Sequence, residues 1–290
     1  MVLGFHAGVS AVFSGIGSAR RKKGFWKGFA GGLAAGGAIY AGNKMAAYAG
    51  YSPVYAYGAK AIHSLGVSTR DNLFLGYGPF KRYQIDFGPA RLSFGNKRIN
   101  DGHAFNAYLL PGALAALIWA AARGDDFDPK LSLKLGTPFF LSDDLPLKGD
   151  EPEAVKKFIE ERRKENPELD PETVFWIQRG IDATNTVLLG KKMNSYDMRG
   201  NFRGSGEADF NSFLSRSVMG HEVIHTLQYR EVNFLDGIFE TGIPMLDKAS
   251  NITHMKLGSD LVILPSWLAD RKKSHDRRLI ELEPVALELK

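Results

Sequence analysis

A chain of 290 residues can bury the core of one large domain or two modest ones, and 44% hydrophobic with 24% charged residues is typical of a folded protein. The absence of cysteine excludes disulfides, thiolate metal ligands and a cysteine nucleophile, so any metal must be held by His, Asp or Glu. The net charge of +5 includes basic clusters at 20–27 and 271–278. No nucleic-acid-binding motif accompanies them, so a solvated face or anionic lipid explains them better than nucleic acid.

Two uncharged segments, residues 2–18 and 28–42, flank the first basic cluster. A membrane-spanning helix needs about 20 strongly apolar residues, and the many Gly and Ala residues here contribute little. The order of charges, with the basic run after the apolar stretch, does not fit a secretory signal.

Glycines recur at every fourth position of the second segment, at Gly28, Gly32 and Gly36. This spacing lets helices approach closely in a bilayer, and a soluble helix pair would use it equally. We expect residues 1–70 to form a Gly/Ala-rich helical region that contacts a membrane or a membrane complex through residues 1–60. On insertion the basic cluster would stay in the cytoplasm and the rest of the chain would be periplasmic. A soluble cytoplasmic protein is the alternative.

The middle of the chain predicts strands and a short helix. Apolar residues alternate on both sides of Gly88-Pro89, which indicates a β-hairpin at 83–94. Leucines alternate with polar residues at 131–135 and indicate a half-buried strand. Residues 112–123 form an apolar helix that is too short to span a bilayer and suits a core.

A polar, proline-rich stretch at 143–173 interrupts these patterns. It contains one candidate solvated helix, at 151–164. We interpret the stretch as a charged insertion or lid within a second domain, residues 71–290; a domain boundary is the alternative.

Two further strands are predicted at 173–177 and 184–189, joined through Arg179-Gly180. Residues 200–206 contain three glycines, which favours a mobile loop.

The most informative motif is His-Glu-x-x-His, formed by His221, Glu222 and His225. It lies in a segment whose apolar residues recur at helical spacing, with Asp209 as a plausible N-cap. Residues four apart lie on one helix face, so the two histidines can bind one metal ion. Glu222 projects beside that face and can act as general base toward a water molecule on the metal. The alternative is a helix whose two histidines only hydrogen-bond their neighbours.

The segment 220–228, Gly-His-Glu-Val-Ile-His-Thr-Leu-Gln, resembles the active-site helix of the zincin metallopeptidases, particularly the bacterial gluzincin-like families with Gly-His-Glu-x-x-His-x-x-Gln. The resemblance implies an α+β fold with a small, mostly antiparallel sheet beside the motif helix. It also implies zinc as cofactor and a peptide or protein as substrate. The edge strand of that sheet pairs with the extended substrate, and the strand at 184–189 is our candidate for it.

A catalytic zinc ion takes three protein ligands and a water molecule, so one ligand must come from another segment. Residues 280–286, Ile-Glu-Leu-Glu-Pro-Val-Ala, resemble the stretch that supplies a glutamate in gluzincin-like families. This resemblance makes Glu281 the first candidate and Glu283 the second. Pro284 stands where alanine is usual, and proline bends a helix.

Other carboxylates and histidines are weaker candidates for the third ligand. Residues 264–270, Leu-Pro-Ser-Trp-Leu-Ala-Asp, resemble a second zincin branch and offer Asp270. Glu231 lies six residues after the second motif histidine and should point from another helix face. His254 and His275 fit no pattern.

We therefore expect a zinc-dependent metallopeptidase with His221, His225 and Glu281 as metal ligands and Glu222 as general base. A Tyr, His or Arg would have to stabilise the oxyanion, and the sequence does not assign it. The alternative is a zincin-like structural or assembly protein of a membrane-associated complex, without catalysis.

Overall fold

A computed structural model describes residues 2–100, 102–143 and 172–231, together with positions 145, 155–156, 159–160, 162–164, 166–168, 170 and 287. Its helices are α1 (Val2–Arg20), α2 (Phe25–Ala46), α3 (Pro53–Phe74), α4 (Pro111–Ala122), α5 (Pro129–Leu135) and α6 (Phe213–Glu231), with a 3₁₀ turn at Lys97–Ile99. Its strands are β1 (Arg82–Phe87), β2 (Ala90–Gly95), β3 (Phe105–Leu109), β4 (Asp126–Phe127), β5 (Phe139–Ser142), β6 (Phe175–Ala183), β7 (Thr186–Tyr196) and β8 (Phe202–Glu207). The fold is α+β, as predicted.

The first three helices form an antiparallel bundle in which glycines allow the helices to pack closely. A Cβ atom at Gly28, Gly32 or Gly36 would lie 2.6 Å from an atom of α1, so each position requires glycine. The four-residue glycine spacing therefore brings α2 against α1 of the same chain. At the next turn Ser52 caps α3, because its hydroxyl accepts a hydrogen bond from the Val54 N–H at 3.2 Å.

Strands β1, β2 and β3 form an antiparallel sheet, which we call sheet 1. The predicted hairpin is confirmed: Ile85 pairs with Leu92, and the turn uses Gly88 at φ 54°. The predicted helix at 112–123 is confirmed as α4.

The predicted strand at 131–135 is wrong, because these residues form α5. Asp128 accepts a hydrogen bond from the Leu131 N–H at 2.9 Å, Pro129 occupies the first turn, and Gly136 ends the helix at φ 66°. These cap signals outweigh the short alternation of leucines. In the predicted insertion, the described residues between 155 and 164 are helical.

The remaining strands form sheet 2, in the order β4-β5-β7-β6, with β8 also paired to β7. Strand β7 is flanked on both sides, so the prediction that 184–189 is the edge strand is wrong; β6 is the edge beside α6. Strand β6 also runs through Arg179-Gly180, which was predicted to be the connection. The actual turn contains Thr184 at φ 60°. Residues 202–207 form β8 where a loop was predicted.

Helix α6 begins later than its predicted cap at Asp209. The Ser212 hydroxyl accepts a hydrogen bond from the Ser215 N–H at 3.2 Å and acts as N-cap, whereas Asp209 accepts from the Asn211 N–H in the preceding turn. The largest buried apolar cluster places α6 residues with residues of sheet 2, α5 and the α2–α3 region. Helix α6 thus packs between the bundle and sheet 2, across the boundary expected at residue 70.

Candidate metal centre

The three motif residues lie on α6 and are almost fully buried. The exposed fractions are 8% for His221, 5% for Glu222 and 5% for His225. The Nε2 atoms of the two histidines are 3.2 Å apart, and the rings meet at 72°. The helix therefore brings both imidazoles to one point, as the four-residue spacing predicts.

The separation of the two nitrogens suits a shared metal ion. Zinc–nitrogen bonds of about 2.0–2.1 Å at a tetrahedral angle place two ligand atoms about 3.3 Å apart. The distance of 3.2 Å between His221 Nε2 and His225 Nε2 is close to this value. Two neutral imidazoles are also donors that zinc prefers.

Gln228 determines which nitrogen of His225 is protonated. Its Oε1 lies 2.9 Å from His225 Nδ1. An amide oxygen can only accept a hydrogen bond, so Nδ1 carries the proton and Nε2 keeps its lone pair. This is how the outer partners of a metal-binding histidine orient it. This partner of His225 was not predicted from the sequence, although a side chain three residues along a helix is within reach.

Gly180 on the edge strand β6 makes room for Glu222. A Cβ atom at Gly180 would lie 2.8 Å from both Cγ and Cδ of Glu222 and closer still to Oε1. A bulge between Gln178 and Gly180 interrupts the pairing of β6 with β7 at this point. The sequence alone did not predict this role for Gly180, although a glycine inside a strand can signal close approach of another group.

No third metal ligand is evident among the residues that the structure describes. In residues 2–100, 102–143 and 172–231, no set of three His, Asp and Glu side chains is arranged as a metal site. The candidates Glu281, Glu283 and Asp270 fall outside the described residues, as do His254 and His275.

Glu231, the last residue of α6, is held in a separate cluster. Its carboxylate accepts hydrogen bonds from Asn43 Nδ2 at 3.0 Å and His63 Nε2 at 3.1 Å, and it lies 3.4 Å from His6 Nδ1. Its backbone carbonyl accepts from Arg70. This confirms that Glu231 does not face the motif histidines and shows that three bundle helices hold the end of α6.

The charge of Glu231 is stabilised in this cluster. Burial raises the pKa of the carboxyl group, but hydrogen bonds from His6 and His63 and their charges outweigh burial. The net pKa lies well below its ordinary value, so Glu231 is ionised when the protein is folded at neutral pH.

Comparison of the chain with protein-family models, curated proteins and solved structures finds no match. The function must therefore be argued from the geometry of α6 and its surroundings.

Proposed function

We propose that the protein is a zinc-dependent metallopeptidase of zincin type. The observation that carries the proposal is the 3.2 Å approach of His221 Nε2 and His225 Nε2, with Glu222 buried beside them. His221 and His225 would be two zinc ligands, and Glu281 is proposed as the third. The substrate would be a peptide or protein.

Each residue around the site would have a separate role in the reaction. Zinc, when bound, supplies an acidified water molecule and a polarised substrate carbonyl. Glu222 accepts the proton of the attacking water and returns it to the leaving amine. Gln228 keeps His225 in the tautomer that can bind the metal. Strand β6 pairs only with β7 among the described strands, so its other edge can hydrogen-bond an extended peptide.

Two substitutions on α6 test the peptidase. Glu222→Gln should keep its zinc and lose about 10²–10⁴-fold in peptide hydrolysis, because the amide is similar in size but cannot accept the proton. His225→Ala should lose both zinc and hydrolysis, because two remaining ligands hold zinc poorly. Zinc content and hydrolysis are measured for both beside the parent. Equal hydrolysis by Glu222→Gln and the parent would exclude this mechanism.

The second candidate is a zincin-like structural protein without catalysis. In such a protein α6 would still carry His221 and His225, but none of the candidate carboxylates would complete an active zinc site. Zinc bound by the parent and by Glu222→Gln, without hydrolysis by either of them, would favour this candidate.

We also propose a membrane-associated location, with the catalytic part in the periplasm. Among the described helices, α1 alone is both long and apolar enough to cross a membrane. A buried core helix or a signal sequence passes the same test, so α1 alone gives weak support.

A further inference from the structure

The outer surface of the helical bundle carries large apolar side chains and almost no charge. Those that are exposed on α1, α2 and α3 are Leu3, Phe5, Val12, Ile16, Trp26, Leu33, Val54, Tyr55, Tyr57, Ile62 and Leu65. No exposed residue is charged between residues 2 and 19 or between residues 53 and 65. A helix on the surface of a water-soluble protein carries charged and polar residues on its solvent face.

The inside of the bundle holds polar side chains among small apolar ones, whereas a soluble bundle buries mainly apolar side chains. His6, Ser10, Ser14 and Ser18 lie on the buried side of α1 at four-residue spacing, beside Ala11, Gly15 and Gly17. The ionisable groups in this interior are paired, as Glu231 is with two histidines. Interiors with small residues and paired ionisable groups are characteristic of helices in a bilayer.

Sheet 1 shows the same inversion. Gln84, Asp86, Arg91 and Ser93 are buried on its inner face, where Arg91 Nε donates to Asp86 at 2.7 Å. The alternate positions carry apolar side chains that point outward, among them Ile85, Phe87, Leu92, Phe94, Phe105 and Leu109. An antiparallel sheet with one wet face normally directs its apolar side chains inward.

We propose that the outer faces of α1, α2, α3 and sheet 1 form one surface that contacts the acyl chains of a bilayer containing anionic phospholipid. The dimensions fit: on α2 the exposed charges Lys27 and Lys44 are 17 residues apart, which at 1.5 Å per residue is about 26 Å. The hydrocarbon core of a bilayer is about 30 Å thick.

The two ends of the surface have the residues that membrane interfaces favour. Trp26 is 75% exposed beside the basic turn, and Tyr48 and Tyr55 are exposed at the opposite end. Aromatic residues are enriched at both interfaces of a bilayer. The exposed basic residues 20–23 complement anionic headgroups.

This surface also orients the metal site. The basic turn should lie on the cytoplasmic side. A Cβ atom at Gly220 would lie 2.8 Å from the Ala47 carbonyl carbon, so the start of the metal motif is at the other end of α2. The inference deepens the membrane location proposed above and is independent of peptide hydrolysis.

The test uses the absence of cysteine from the chain, which allows single-cysteine labelling. Val12→Cys reports on α1 and Phe94→Cys on sheet 1. Phe202→Cys is the matched control, since Phe202 is also exposed and apolar but lies on sheet 2. Each full-length variant is labelled with a fluorescent probe and reconstituted with phosphatidylcholine–phosphatidylglycerol vesicles that contain a lipid with a nitroxide on its acyl chain. The circular dichroism spectrum and the unfolding temperature, compared with those of the unlabelled parent, confirm that each variant is folded.

We expect at least twofold quenching at positions 12 and 94 and none at position 202. Replacing all four basic residues 20–23 with glutamine should lower binding to these vesicles by about 10²–10³-fold, toward the level seen with phosphatidylcholine alone. Quenching at position 12 without position 94 would leave the membrane location intact and overturn the proposed surface. No quenching at either position would overturn both. Protection of the two labels by concentration-dependent self-association without lipid would instead assign the surface to a second copy of the chain.

Discussion

Gly180→Ala should disable the general base without unfolding the protein. The new Cβ atom would lie 2.8 Å from Cγ and Cδ of Glu222. Carbon atoms in contact prefer about 3.5–4.0 Å, so the Glu222 side chain must move by about 1 Å. Gly180 is not among the glycines with positive φ, and alanine therefore suits its backbone.

The loss of activity expected for Gly180→Ala depends on whether the Glu222 side chain or helix α6 moves away from the new Cβ atom. The Glu222 carboxylate is the far end of a flexible side chain, whereas α6 is packed on both sides, so the carboxylate gives way first. A displacement of about 1 Å from the productive position can cost about 10²-fold in rate. We expect kcat/KM to fall about 100-fold with zinc content and unfolding temperature nearly unchanged.

The assay compares peptide hydrolysis and zinc content with those of Gly204→Ala. Gly204 also lies in a strand of sheet 2, but the nearest atom to its added Cβ would be Ser195 Oγ at 3.9 Å, an ordinary contact. This control should retain full activity. Wild-type hydrolysis by Gly180→Ala would refute the reasoning, and so would a loss of zinc equal to its loss of activity.

Four further substitutions test the proposed metal ligands and the end of α6. Gln228→Leu should weaken zinc binding about 10–100-fold in a competition titration, because His225 loses the acceptor that orients it; unchanged affinity would contradict that role. Glu281→Gln should lower zinc binding far more than Glu283→Gln, and the reverse order would reassign the third ligand. Glu231→Gln should lower the unfolding temperature at neutral pH, because the charge that its two histidine partners stabilise is lost. Since the pKa of this carboxyl is depressed in the folded state, its stabilisation is complete above the ordinary carboxyl pKa and declines as pH falls below it. The difference from the variant should therefore shrink in acid, and a constant difference would contradict the pKa shift.

The sequence predicts a helix or strand correctly where the residues that determine it lie close together in the chain. The hairpin around Gly88 and helix α4 have turn, proline and spacing signals of this kind. The pairing of His221 with His225 also follows from helix geometry alone. Where two local signals competed, as at α5, the caps at Asp128 and Gly136 decided the structure.

Long-range pairing could not be predicted from these patterns. Whether β6 or β7 forms the edge of sheet 2 depends on where β5 and β8 attach, which no short window of sequence contains. The role of Gly180 depends in turn on β6 passing beside Glu222, about 40 residues later in the chain, so it is visible only after the sheet is assembled.

Helix α6 connects the N-terminal bundle to the proposed metal site. The start of α6 lies against the turn that follows α2, because a Cβ atom at Gly50 would lie 2.7 Å from Arg216 Cα. At the end of α6, the Glu231 carboxylate contacts side chains of the first three helices. Metal ligands must be held to within about 0.5 Å by neighbours that are themselves fixed, and the contacts of both ends of α6 with the bundle favour a fixed position for this helix. Removing residues 1–60 would therefore take away Gly50, Asn43 and His6 together and expose the buried charge of Glu231. We expect such a truncated chain to lose its fold and its zinc, so the orientation of the bundle in a membrane would also set the orientation of the metal site.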